Sequence, residues 1–505
     1  MDKNDTGVRR NPENPARQLS RKTVRAAGWN YVSFGLGKLS VMITITVLAR
    51  LLGPDEFGVV GYATLAIAYL SVLQDLGLSH ALIQRRANIE EASDTVFTSN
   101  LLVGMTLTLV IYFTAPFVAV FFREPRVELL MQVLGVSFTI EALGSAHLAL
   151  LRRDLNFRRK LIPDLGRALV KGVVSISMAL LGYGVWSLVV GQIAGVIASV
   201  ALAWMSYPWR PRLHINTSLI RSMLAFSIPL IAVDILSAIG ANLDYTLIGR
   251  MLGDTALGLY TMAYRIPELA ITSIWMVLAQ VLFPAYSSVQ HDMRLLTKGF
   301  LTTIRYLQIV IVPIALTLII LADPLVRALL GPEWIEAIPV FRLIAVSSLI
   351  HSIGTNVGDV YKAVGRPSIL WKLGIFNIAV LAVCLFTGVR YGLTGVAIGH
   401  IIAALQVLSL RLYFATRILD VTLMDIWQEV RPSFNAGVAL CLAALPVYAL
   451  TGDFNPFVQL LSVSAAAGTA YLATLWILEK HTLTMMLEMV GVDRPMGAAG
   501  KSTEN

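Results

Sequence analysis

From residue 28 to residue 479 the chain alternates long apolar runs with short polar connectors, most of them basic. About fourteen runs reach the roughly 20 residues that a helix needs to cross a bilayer. Spans are predicted over 28–52, 56–80, 94–122, 127–151, 163–183 and 185–207, then over 219–248, 255–284, 300–323, 335–361, 368–388 and 393–418. A last pair follows at 433–451 and 456–479. The connectors are short, several are tight turns such as Gly53-Pro54-Asp55 and Gly182-Tyr183-Gly184, and no soluble domain is inserted. The pattern is that of an all-α polytopic membrane protein.

Within this pattern one stretch repeats another. Arg50, Leu52, Gly53, Gly58 and Ala63 recur as Arg250, Leu252, Gly253, Gly258 and Ala263, at a constant offset of 200. Further on, Arg158, Leu165, Gly166, Tyr183, Gly184, Gly191 and Ile193 recur as Arg366, Leu373, Gly374, Tyr391, Gly392, Gly399 and Ile401, at an offset of 208. Six spans per unit is an even number, so the two copies share one orientation. This is a parallel repeat about an axis along the membrane normal, which places a binding site at the interface of the halves. The expected organisation is a first lobe over 28–207, a second over 219–418, and two additional helices within 433–479. A cytoplasmic, disordered tail is expected over 1–27 and a second cytoplasmic tail over 480–505.

Composition agrees. Hydrophobic residues make up 56% and charged residues 14% of the chain, with a mean hydropathy of +0.71. A soluble domain carries about 25% charged residues. The two cysteines, Cys384 and Cys441, stand in separate apolar runs and read as small buried hydrophobes. The net charge of +9 does not point to nucleic acid, because the positive residues lie in connectors, where they set topology. With the N-terminus inside, about 28 of the 40 Lys and Arg fall on the cytoplasmic face and about six on the other, so both ends are expected inside. The early polar segment, with Arg9, Arg10, Arg17, Arg21, Lys22 and Arg25, precedes a run long enough to span and has no cleavage-site pattern, so it does not read as a secretory signal.

Several charges fall inside the predicted spans. Lys38 lies in the first, Glu141 in the fourth, Arg167 and Lys171 in the fifth, Asp234 in the seventh, Arg265 and Glu268 in the eighth, and Arg342 in the tenth. Asp75 and Asp359 lie nearer the cytoplasmic ends. A charge at mid-membrane costs about 2.5–3.5 kcal/mol on insertion scales, so each needs a partner or a hydrated cavity. Arg265 and Glu268 are three apart and can pair on one helix face, whereas Arg167 and Arg342 are near enough to interfaces to snorkel. Lys38 and Lys171 have no carboxylate three or four residues away. The substrate-cavity candidates are therefore Lys38, Lys171, Arg265 and Arg342, a lining suited to an anion such as a diphosphate. The ion-coupling candidates are Glu141, Asp234 and Glu268. His147 and His400 read as packed, hydrogen-bonded residues. Pro229, Pro267 and Pro313 are candidate bending points, and Gly35, Gly37 and Gly240 read as sites of close helix packing.

Signatures of catalysis are weak. Gly35-Leu36-Gly37-Lys38-Leu39-Ser40 resembles a phosphate-binding loop only superficially, since Val32 stands where the first Gly belongs and Leu39 where Ser or Thr belongs. No His-Glu-x-x-His pattern or nucleophile elbow occurs. A non-enzyme is expected, with no cofactor and no catalytic or metal-binding residue.

Three stretches carry a family resemblance: LLGPDEFGVVGYATLAIAYLSVLQDLGLSHALIQR (Leu51–Arg85), RRDLNFRRKLIPDLGRALVKGVVSISMALLGYGVWSLVVGQIAG (Arg152–Gly195) and GLYTMAYRIPELA…VLFPAYS (Gly258–Ser287). Their order and spacing, with the span count, resemble Wzx-type polysaccharide flippases of the multidrug/oligosaccharidyl-lipid/polysaccharide exporter superfamily. The resemblance covers roughly 30–480. It implies two six-helix lobes with two flanking helices, and a basic cavity that alternates between faces. The implied substrate is an undecaprenyl-diphosphate-linked oligosaccharide, moved to the periplasmic leaflet of the bacterial inner membrane. Membrane lipids, a polysaccharide polymerase and a chain-length regulator are the accompanying partners, and nucleic acid is not. Drug exporters of the superfamily often carry an Asp in the first helix, and residues 28–52 contain no carboxylate. A cation-coupled multidrug exporter or a lipid II flippase of the same fold, and more remotely a membrane enzyme acting on glycans, remain as alternatives.

Overall fold

The computed structural model describes residues 35–85, 88–366, 368–480 and 484; the expected tail over 1–27 and nearly all of 480–505 lie outside the described residues. Every regular element described is helical. In chain order they are α1 (35–51), α2 (Pro54–Ser71), α3 (Leu78–Gln84), α4 (Ile89–Phe122), α5 (Arg126–Arg153), α6 (Phe157–Leu180) and α7 (Val185–Ser206). Next come α8 (Thr217–Leu252), α9 (Asp254–Pro267), a π-helical turn (Glu268–Thr272), α10 (Ser273–Ser288), α11 (Met293–Ile320) and α12 (Ala322–Leu329). After a 3₁₀ turn (Pro332–Ala337) follow α13 (Ile338–Ile353), α14 (Val357–Ala363), α15 (Ser368–Gly388), α16 (Gly392–Leu419), α17 (Leu423–Leu450) and α18 (Pro456–Leu478).

Among the described residues, nine helical stretches are long and apolar enough to cross a membrane, and one of them, Ser368–Leu419, holds both α15 and α16. The protein is an all-α, multi-pass membrane protein. Its outward faces carry large apolar side chains, such as Phe113, Phe117 and Val120 on α4 and Leu461 and Ile477 on α18. Small residues line the buried seams, for example Ala92, Ala115, Ala142 and Ala146. That is the arrangement expected where lipid is the solvent and helices associate by close packing.

The helices follow the predicted spans, with instructive departures. The spans over 56–80 and 335–361 are each broken, the first between α2 and α3 and the second between α13 and α14. α17 begins ten residues before its predicted span, because Thr422 and Asp425 form a reciprocal capping box: the Thr422 hydroxyl accepts from the Asp425 N–H, and Asp425 accepts from Thr422. Helix polarity need not change where the hydrocarbon ends, so hydropathy alone misses such extensions. α8 and α11 run on through Pro229 and Pro313, and only Pro267 is followed by a change of helical type. Neighbouring helices in a membrane can satisfy the carbonyl that a proline strands. Gly35 and Gly37 have no described atom within 4 Å of where a Cβ would stand, so they are not points of close packing among the described residues.

The residues fall into two compact units, one ending at Gly258 and one starting at Leu259, a division inside α9. In the first unit α4 packs on α5, α6 on α7, and α8 against α2 and α4. One of its tightest approaches involves a repeat pair. A Cβ at Gly58 would stand 1.9 Å from the Asp254 carbonyl oxygen, and one at Gly258 would stand 1.8 Å from that of Pro54. Pro54 and Asp254 share the same offset of 200, so the contact is reciprocal between equivalent positions. Close by, the Tyr62 hydroxyl donates to the Gly249 carbonyl at 3.0 Å and its ring stacks on Phe122. In the second unit α11 packs on α13 and α17, α13 on α16, α15 on α16, and α17 on α18.

Because both obstructing atoms are backbone, neither can be rotated away. Gly58→Ala and Gly258→Ala are each expected to destabilise the protein by about 1–3 kcal/mol. Thermal unfolding of the detergent-purified variants checks this; an unchanged midpoint in both contradicts the close approach.

Candidate functional site

The first unit contains a cavity of about 210 Å³, whose mixed lining includes Gln74, Asp75, Asn100, Glu141, Arg167 and the apolar Val196. It exists because α2 stops early. The chain turns through Leu76 and Gly77, at φ 44° and 70°, a left-handed conformation natural only to the glycine. This turn brings Gln74 and Asp75 into the seam instead of continuing the helix. Asp75 accepts from the Ser79 hydroxyl at 2.7 Å and from Asn100 Nδ2 at 2.8 Å, and Asn100 Nδ2 also donates to Ser145 Oγ at 3.0 Å. Glu141 on α5 accepts from Arg167 of α6 at 2.6 Å on one oxygen and from Gln74 Nε2 at 3.0 Å on the other. The Arg167 side chain retains 40% exposure and Glu141 26%, so the pair is only partly buried by protein. Arg167, expected to snorkel, instead turns inward to a carboxylate.

Lys171 lies one helical turn beyond Arg167. Its Nζ donates to Gln192 Oε1 of α7 at 2.7 Å. α7 reaches it because Gly195 faces α6: a Cβ there would stand 2.8 Å from the Arg167 carbonyl oxygen and 2.9 Å from Lys171 Cβ. Lys38 is half-buried on α1, and Asp234 is exposed on α8. The structure thus brings Glu141 close to Arg167, not to Asp234.

In the second unit Arg265 and Glu268 form the ion pair that their spacing allows, at 3.3 Å, where α9 gives way to the π-helical turn. Pro267 lacks the N–H that would bond back to the preceding turn, and a π-turn accommodates that loss. Arg342 is exposed on α13. His400 meets the Tyr260 hydroxyl at 2.9 Å. In the first unit His147 is fully buried, stacked on Trp204 and bonded to the Trp209 carbonyl. Both histidines are packed, hydrogen-bonded residues.

Four further charged groups, Arg411, Arg305, Glu429 and Glu479, escaped sequence reasoning. Arg411 of α16 donates to the Gly354 carbonyl at 3.3 Å, across the break that follows α13, while its own carbonyl accepts from the Tyr361 hydroxyl. Arg305 of α11 meets Glu429 of α17 at 2.5 Å and Glu479 at 3.6 Å. Arg305 and Glu429 flank an open pocket of about 860 Å³ that also includes Arg294, Lys298 and Asp420. Arg411 and Arg305 sit near span ends, where a basic residue ordinarily marks topology, so spacing held no signal for them. Among the described residues no group of three or more His, Cys, Asp or Glu stands close enough to hold a metal ion.

The many-helix bundle, with partnered charges among its helices, shares its fold with solved membrane proteins. The lipid II flippase MurJ in an inward closed conformation superposes with a TM-score of 0.74 at 14% identity, over 90% of this chain and 99% of that one. An inward-facing MATE-family multidrug transporter superposes at 0.63 with 17% identity, over 76% and 94%. Residues 47–339 match the polysaccharide biosynthesis protein family, and the chain belongs to it. Relatives include the succinoglycan biosynthesis transport protein ExoT of Rhizobium meliloti, 25% identical over 96% of this chain and 99% of its own. The teichuronic acid biosynthesis protein TuaB of Bacillus subtilis is 24% identical over 89% and 94%. The lipopolysaccharide biosynthesis protein WzxC of Escherichia coli is 24% identical over 76% and 79%.

Glu141 and Arg167 offer a direct test of the cavity's electrostatics. Glu141→Gln and Arg167→Gln are each expected to lower the unfolding midpoint, and the double variant to lose less than their sum. The coupling energy should be about 1 kcal/mol, as suits a partly exposed pair. Strict additivity contradicts the pairing.

Proposed function

We propose that this protein flips undecaprenyl-diphosphate-linked oligosaccharide repeat units from the cytoplasmic to the periplasmic leaflet of the bacterial inner membrane. The products would feed exopolysaccharide, capsule or O-antigen synthesis. The observation that carries this reading is the match of 47–339 to the polysaccharide biosynthesis family, which the relatives named for succinoglycan, teichuronic acid and lipopolysaccharide extend over most of the chain.

The charges inside the spans support an anionic substrate. Lys38, Lys171, Arg265 and Arg342 are proposed to line a basic cavity that opens alternately to each side. Lys171 is held in place by Gln192, whose Oε1 accepts from its Nζ. A diphosphate, with several acceptor oxygens and high charge, takes such donors readily. Glu141, Asp234 and Glu268 are the proposed ion-coupling carboxylates, and Asp234, the exposed one of the three, carries no salt bridge among the described residues. Both termini are proposed to lie in the cytoplasm, with a polymerase and a chain-length regulator acting on the product.

Lys38→Ala, Lys171→Ala and Arg265→Ala are each expected to reduce polysaccharide output several-fold at matched membrane expression, with the lipid-linked unit building up inside. The readout is surface polysaccharide and extracted lipid-linked repeat unit in a deletion strain carrying each variant. Wild-type output from all three contradicts the basic cavity. Unchanged output from the deletion strain itself, with raised sensitivity to cationic drugs, moves the substrate to small cations.

A further inference from the structure

At one end of the second unit the start of α11, the end of α16 and the start of α17 come together. The Thr297 hydroxyl donates to the Leu419 carbonyl at 3.0 Å, which ties the first turns of α11 to the last of α16. Behind that contact Leu296, Phe300, Ile304, Leu419 and Ile426 form a buried apolar cluster. A different stripe of α11 carries Arg294, Lys298, Leu301 and Arg305, spaced four, three and four residues apart, so all four share one helix face. That face is a wall of the open pocket of about 860 Å³.

The charges in this pocket do not cancel. Glu429 is taken up by Arg305, which also meets Glu479. Arg294 and Lys298 are exposed, and neither forms an ion pair with a described residue. Among the described lining residues, Asp420 is the carboxylate left to set against them. Two cations and one carboxylate leave a single positive charge, which matches the single negative charge of a phosphodiester.

Beside these cations the surface is apolar. Met293 lines the pocket and is exposed, as is Leu295 next to Arg294. On α17, Leu423, Met424 and Trp427 are exposed within the ten residues that precede the apolar run over 433–451. Unpaired cations and exposed apolar side chains, including a Trp, at the end of a span suit the interfacial layer of a bilayer, where one molecule presents both phosphate and acyl chain. A free phosphate makes no use of the apolar rim, and a lipid-linked diphosphate carries more negative charge than the pocket balances.

We propose that Arg294 and Lys298 bind the phosphodiester of an anionic glycerophospholipid, with phosphatidylglycerol as the fitting case. Its acyl chains lie beside the exposed apolar side chains of α11 and α17. Thr302 and Tyr306, farther along the same wall, add hydroxyl donors. The site concerns the surrounding membrane and does not depend on which substrate the chain carries.

The test uses the full chain purified in detergent and titrated with dioctanoyl phosphatidylglycerol or dioctanoyl phosphatidylcholine, with bound lipid read by native mass spectrometry. Saturable binding of phosphatidylglycerol is expected, about ten-fold or more tighter than that of phosphatidylcholine. The double variant Arg294→Gln/Lys298→Gln should lose about ten-fold in affinity for phosphatidylglycerol and none for phosphatidylcholine. Its unfolding midpoint without lipid should be unchanged, since both side chains are exposed. Arg158→Gln/Arg159→Gln, which removes two exposed cations of the first unit, should leave binding as it is. Equal affinity of the wild type for the two lipids overturns the proposal whatever the variants do. Equal losses in the two double variants overturn it as well, since they reflect overall charge rather than a site. Glycerol 3-phosphate binding as tightly as the lipid would make this a site for soluble phosphate. Undecaprenyl diphosphate bound in preference to phosphatidylglycerol, and lost in Arg294→Gln/Lys298→Gln, would assign it to the transported substrate; either result overturns the proposal.

Discussion

An ionised side chain inside a bilayer must find its partner in the protein, because hydrocarbon supplies none. Glu141 and Arg167 meet that requirement for each other, and much of the first unit is arranged around the meeting. The early end of α2 and the left-handed turn at Gly77 carry Gln74 and Asp75 into the same seam, where Gln74 takes the second oxygen of Glu141. Gly195 lets α7 close on α6, so that Lys171, one turn beyond Arg167, reaches Gln192. The cavity that results carries several polar and charged side chains and is walled by four or more helices. Without the pair, α5 and α6 would each carry a charge into the seam with nothing to set against it.

How much of this the sequence reveals depends on the kind of signal involved. Fourteen apolar runs are legible because lipid imposes one simple rule on every span, and the helices occupy those runs. The reciprocal approach of Gly58 and Gly258 was visible only as a coincidence of spacing; its meaning, backbone against backbone, needs three dimensions. Arg265 and Glu268 were legible as a pair because three residues on a helix is a contact distance. Arg167 was not, since its partner is 26 residues away on another helix. The breaks at Gly77 and after Ile353 were hidden for a related reason: hydropathy does not change where the backbone turns. It is the break at Gly77 that brings Asp75 to Ser79 and Asn100.

Fold and function part company at a definite point. The likeness to MurJ and to a MATE transporter establishes the architecture, at identities too low to carry a substrate. Family membership narrows the setting to polysaccharide biosynthesis. The basic side chains within the spans then bear on substrate class, because a cation within a span favours an anion or a hydrated path beside it. Glu141 and Glu268 are matched by arginines, whereas Asp359 is matched only by a solvent-screened lysine on one of its oxygens.

The claim that the chain moves a lipid-linked oligosaccharide between leaflets is tested most directly with purified protein in sealed liposomes containing a fluorescent undecaprenyl-diphosphate oligosaccharide. A membrane-impermeant glycosidase added outside reads the fraction of glycan on the outer leaflet. With the inner-leaflet pool initially protected, the account predicts that protein-containing vesicles lose that protection with time, and that Lys171→Ala slows the loss several-fold. Protection that persists equally with and without the protein, in vesicles shown to hold folded chain, would contradict it.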